Sequence, residues 1–143
     1  MPFPSSYTGQ QARNEMRIIV DSLDIMKKTS DIDTFLSRYD TAIKCTMTLL
    51  QAKKAGVPIA MSDDFYDFLV NMKSESLATV LHCSFQRELS EINKLKTESG
   101  KLNRIDRYQE KLKGMYEDVF ELVADDAYND VMQKLDFLKT KFN

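Results

Sequence analysis

Tryptophan is absent from this 143-residue chain, histidine occurs once, cysteine twice, proline three times and glycine four times. Each scarcity excludes something. One histidine and two cysteines fall short of the four Cys/His ligands of a usual structural zinc site. Two cysteines also make no disulfide framework, so Cys45 and Cys83 are expected as reduced thiols in a cytoplasmic protein. The prolines, Pro2, Pro4 and Pro58, lie outside the periodic segments, and so few breakers favour helices over a strand-and-turn fold. No apolar run approaches the roughly 18 residues of a membrane span. The opening stretch, MPFPSSYTGQ, has neither the cationic nor the apolar region of a secretory signal, and none is expected. A formal charge of −2 argues against a generally basic nucleic-acid binder and leaves room only for a local basic patch.

What is present is helical periodicity. The length predicts a single domain over 1–143, and a chain of this size buries roughly 68–70% of its unfolded surface without staples. Thr8-x-x-Gln11 reads as a capping box, followed by Met16, Ile19, Leu23 and Met26 at 3-4-3 spacing. Ser30-x-x-Asp33 opens a second helix that Gly56 and Pro58 stop. Ser62 is expected to cap a third helix, with Asp63 and Asp64 in its first turn and Met61 and Tyr66 at staple positions. A fourth carries the series Ile105, Tyr108, Leu112, Met115, Val119 and Leu122, a coiled-coil seam. After "ADDA" the series restarts out of phase with Tyr128, Val131, Leu135 and Leu138.

The expected fold is all-α, with four to five helices in a bundle and a long antiparallel hairpin whose arms run about 62–98 and 101–141. Pivoting on Gly100 sets Leu95 against Ile105, Ile92 against Tyr108 and Leu89 against Leu112. Both apolar stripes change face near "KSES" and "ADDA", which predicts a kink or break in each arm. That divides the domain into a base, about 8–74 with 126–142, and an arm, about 77–122. An ordinary up-down four-helix bundle is the simpler alternative.

Sites for chemistry are few. His82 and Cys83 are neighbours on one helix, about 100° apart, so they can neither chelate one metal nor act as a nucleophile–base pair with each other. The Glu-x-x-His motif of di-iron bundles is missing, since Thr79 stands three before His82. Asp63, Asp64 and Asp67 lack calcium-loop spacing. "LKTESGKLN" fails as a phosphate loop because Leu95 stands at the first glycine position and Leu102 follows Lys101. No catalytic residue, metal or cofactor is expected. Charge placement is the remaining signal. From Arg87 to Lys113 there are eight basic residues against five acidic ones, and from Glu117 to Asp130 six acids face no base. Lys94, Lys96, Lys101, Arg104, Arg107 and Lys111 are the candidate contacts to a partner or nucleic acid, although such a run reads equally as a solvated face.

The stretch SLDIMKKTSDIDTFLSRYD, Ser22 to Asp40, is similar to a helical segment of uncharacterised proteins from gram-positive bacteria and their phages. The resemblance covers these 19 of the 143 residues and implies a bacterial or prophage origin and nothing about activity. The residues themselves read as a helix–cap–helix corner with Phe35 and Tyr39 packing.

The function expected first is non-enzymatic: a protein that works through protein contacts, as a homodimer or in a larger assembly, with no membrane role. The surplus apolar positions near Tyr66, Val70 and Phe120 are the candidate oligomer contacts. The alternatives are a nucleic-acid-associated protein using the basic hairpin tip, and a small-molecule binder with its pocket in the bundle core.

Overall fold

A computed structural model describes residues 9–117 and 124–142. Every regular element among them is helical: α1 (Gly9–Lys28), α2 (Ile32–Lys54), α3 (Phe65–Lys94), α4 (Glu98–Met115) and α5 (Asp125–Thr140). The all-α bundle expectation holds, with five helices. Two compact units, Met1–Lys73 and Ser74–Asn143, meet within α3.

In the first unit α1 and α2 form a closely packed hairpin. Its corner is set by Asp31, whose carboxylate accepts from the Thr34 amide at 3.0 Å and from the Thr34 hydroxyl at 2.8 Å. The cap is therefore Asp31, one residue later than the Ser30 box, and its carboxylate meets one of the orphan amides of the first turn. Thr8, the expected cap of α1, lies outside the described residues. Ala12, Ile19, Leu49 and Met61 form the core, with Met16, Leu23, Cys45 and Phe65 packed against it. At the corner Phe35 is buried, Tyr39 half-buried and Arg38 exposed. Gly56, at φ 99°, ends α2. Its amide donates to the Lys53 carbonyl and that of Val57 to Ala52, which satisfies the last carbonyls as a Schellman motif does.

α3 starts at Phe65 rather than Ser62. The Ser62 hydroxyl bonds the Asp64 carboxylate and is thereby drawn away from the helix amides. Met61 is buried while Tyr66 stays exposed, so the expected staple is not closed. The helix runs through "KSES" unbroken. Its buried face still changes there: Leu69 belongs to the first unit, and Leu81, Phe85 and Ile92, about 120–160° round the helix from it at about 100° per residue, belong to the second. No proline or glycine stands in this stretch to force a break.

The turn after α3 also differs from the expectation. α4 begins at Glu98, capped by Thr97, whose hydroxyl accepts from the Gly100 amide at 3.0 Å. Gly100 lies inside the first turn of α4 instead of at the pivot. Glu88 and Arg104 are ion-paired across the turn, whereas a pivot on Gly100 would have placed Arg104 opposite Lys96. The register is shifted by about two helical turns, and Leu89 is consequently only half-buried while Ile92, Ile105 and Leu112 are fully enclosed.

The expected second arm, 101–141, is two helices. α5 doubles back along α4: Lys101 lies over the Phe142 ring, Lys139 pairs with Asp106 at 2.8 Å, Gln109 donates to Asp136 at 2.8 Å, and the rings of Tyr116 and Tyr128 stack at 4.1 Å. These four contacts share one antiparallel register. The buried apolar side chains of the second unit include Leu81 of α3, Ile105 and Leu112 of α4, and Val131 and Leu135 of α5. Val119 and Leu122, expected to continue the α4 seam, lie outside the described residues.

Candidate functional site

Two surfaces gather the residues that the sequence singles out. The first is a cleft of about 240 Å³ in the second unit, lined by Glu88 of α3 and by Arg104, Arg107, Tyr108 and Lys111 of α4. The 3-4 spacing of residues 104, 107, 108 and 111 puts all four on one side of α4. Glu88 holds Arg104 in a two-pronged bond, 2.5 Å to Nε and 3.3 Å to Nη2, which fixes the guanidinium plane. The hydrogen bond that Arg104 donates to Glu88, reinforced by the carboxylate's charge, pushes the Arg104 pKa up. Tyr108 is buried and forms part of the wall.

Three of the six basic candidates thus share one cleft. The other three are placed differently. Lys94 pairs with Glu91 one turn back at 3.0 Å, and that hydrogen bond holds the Glu91 carboxyl below the usual range. Lys101 lies over the Phe142 ring, and Lys96 is exposed in the turn. Glu88 went unnoticed in the sequence, since its role depends on the α3–α4 register.

The second surface is the start of α3 in the first unit. Phe65 and Phe68, with ring centroids 5.6 Å apart, line an open groove of about 610 Å³ together with Asp64, Asp67 and Asn71. Phe68 is 53% exposed and Tyr66 39%. Tyr66 therefore stands free as a contact candidate, Val70 is half-buried, and Phe120 lies outside the described residues. Phe68 is the residue that periodicity overlooked. It stands three residues after Phe65 and four before Met72, at the edge of the Phe65–Leu69–Met72 face, so spacing reads it as one more core position although it is exposed. Among the described residues, the large exposed apolar or aromatic side chains are Ile18, Val20, Met47, Tyr66 and Phe68 in the first unit, against Phe137 in the second.

No family model, curated protein or solved structure matches the chain.

The remaining chemical candidates stay apart. Among the described residues no group of three or more His, Cys, Asp or Glu side chains could hold a metal ion. His82 faces Asp130 of α5 at 3.8 Å, and neighbouring Cys83 is exposed. Cys45 packs beside the core of the first unit, where burial and the nearby Glu15 push its thiol pKa up. Asp63 is held by Lys53 at 3.0 Å. No helix among the described residues is long and apolar enough to cross a membrane.

Proposed function

We propose that this chain is a non-enzymatic assembly protein that associates with a second copy of itself through the first unit, at the start of α3. The observation that carries this reading is the pair of exposed aromatic side chains at the start of α3, Tyr66 and Phe68, the second of which lines an open groove. Exposed aromatic side chains beside a groove are a common mark of a protein contact, and such anchors supply much of its energy. Asp64 and Asp67 border the groove. In a symmetric pair these acids face like charges, so self-association should strengthen as salt screens them. A basic partner segment would show the opposite salt dependence.

The absence of tryptophan gives a clean reporter. In a Tyr66→Trp variant, emission should shift to the blue as protein concentration rises, and more so in high salt. Emission that stays constant from nanomolar to millimolar protein removes the reading. Val70→Asp in the same background should suppress the shift.

A further inference from the structure

Gln109 is only 5% exposed, yet it stands on the seam that α4 turns to α5. Leu102, Ile105, Gln109, Leu112 and Tyr116 follow one another at 3-4 spacing, and Tyr128, Val131, Leu135, Leu138 and Phe142 do the same on α5. Both series repeat every seven residues. Sliding α5 along α4 by seven residues, about 10 Å, therefore sets apolar side chains against apolar ones again. The nine residues between Met115 and Asp125 reach up to about 30 Å when extended, so the connection does not exclude such a slide. Something other than apolar matching has to choose between the registers.

A polar cluster stands where that choice is made. The Gln109 side-chain nitrogen donates to Asp136 at 2.8 Å, and its side-chain oxygen accepts from Lys139 at 2.8 Å. Lys139 also pairs with Asp106 at 2.8 Å. Both ends of one buried amide are thus satisfied by groups three residues apart on α5. A slide of seven residues in either direction carries both partners about 10 Å from Gln109. Lys139 then lies level with Ser99 or with Lys113.

We propose that this cluster is a conformational selector: the hydrogen bonds of Gln109 pick one register of α5 on α4 without stabilising it beyond what an apolar residue there would. A wrong register buries the amide away from both partners, and an unsatisfied buried amide is costly. The cost falls on the wrong pairings alone, which is how a single polar residue on a helix seam fixes register. Leucine in its place leaves no orphaned group behind. Lys139 keeps Asp106, and the side chain of Asp136 is exposed to water. The apolar side chain then supports each register alike.

The test compares the full wild-type chain with Gln109→Leu and Asp136→Asn, by amide and ring resonances in NMR spectra and by urea unfolding. Wild type should show one set of α5 amide resonances. It should also show a cross-peak between the rings of Tyr116 and Tyr128, whose 4.1 Å stack belongs to this register. Gln109→Leu should keep a urea midpoint at or above the wild-type value and show at least two sets, one of them lacking that cross-peak. Asp136→Asn keeps an acceptor oxygen for Gln109 and should retain the single set. A single set with the ring cross-peak in Gln109→Leu overturns the proposal, because apolar packing then fixes the register unaided. A lower urea midpoint in Gln109→Leu overturns it as well, because the cluster then holds the fold together instead of choosing between pairings. The assembly reading is unaffected by any of these outcomes, since Tyr66 and Phe68 belong to the first unit.

Discussion

Leu112→Ala tests the packing of the second unit at one of its fully buried side chains. The Leu112 side chain is wholly buried in α4. Truncation to alanine removes three carbon atoms, worth about 2 kcal/mol or slightly more at about 0.8 kcal/mol per buried methylene. A residual cavity of roughly 50 Å³ adds about 1 kcal/mol. The sum, about 3 kcal/mol, should appear as a fall of about 1.5–2 M in the urea midpoint at an unchanged slope of roughly 1.5–2 kcal/mol/M, read by circular dichroism at the helical band. Leu89 provides the internal control. A turn at Gly100 would set Leu89 directly against Leu112 and make the two equally costly. The Glu88–Arg104 register leaves Leu89 half-buried, so Leu89→Ala should cost about half as much. Equal losses for the two variants, or less than about 1 kcal/mol for Leu112→Ala, would refute the register.

Three further outcomes follow from single side chains. The Thr46 hydroxyl is buried on α2 without a hydrogen-bond partner, so Thr46→Val should stabilise the protein by about 1 kcal/mol in the same urea assay; a loss of stability would show that the hydroxyl is bonded. Cys83 is exposed, while the Cys45 thiol is partly enclosed with a raised pKa. Alkylation at pH 8 followed by peptide mass mapping should therefore label Cys83 first, and faster labelling of Cys45 would contradict its surroundings. Burial, with a contribution from Tyr66, raises the Tyr39 pKa above its ordinary 10.0. The folded state then resists ionisation more than the unfolded one, so the stability from this group is complete below about pH 10 and is lost as pH climbs through the folded value. Lys73, over the Tyr39 ring at 4.9 Å and with its pKa lowered by burial, works in the opposite sense just below its ordinary value. Stability should fall less steeply between pH 10 and 12 in Tyr39→Phe than in wild type; identical slopes would count against the burial.

Most of the helices were legible because their signals are local. Apolar spacing marked the helical segments, with α4 and α5 taken as one arm that changes face, and Gly56 with Pro58 marked the end of α2 through a backbone conformation that few other residues adopt. The change of face along α3 was also visible, at "KSES", which is where the two compact units divide. The turn after α3 was misplaced because Gly100 has two possible meanings. A glycine can end a helix or lie in the first turn of the next, and the choice here rests on Thr97. A Cβ on residue 100 would come within 2.8 Å of the Thr97 hydroxyl, the same oxygen that caps α4. The path of α5 depends on which way the chain leaves the region after Met115, and spacing alone carries no direction. The contact between Lys139 and Asp106 joins residues far apart in sequence whose charges would pair equally well with many others. The same holds for the cleft. Arg104, Arg107 and Lys111 were visible as a basic run, but Glu88, which orients the first of them, became their neighbour only through the turn.

Assembly through the first unit is the central claim, and sedimentation equilibrium of the unmodified chain tests it most directly. In 0.5 M salt the weight-average mass should rise with concentration from 16.5 kDa towards twice that value, and Phe68→Asp should hold it at the lower figure. A single 16.5 kDa species at every concentration and ionic strength would contradict the account, and so would a dimer that Phe68→Asp leaves intact.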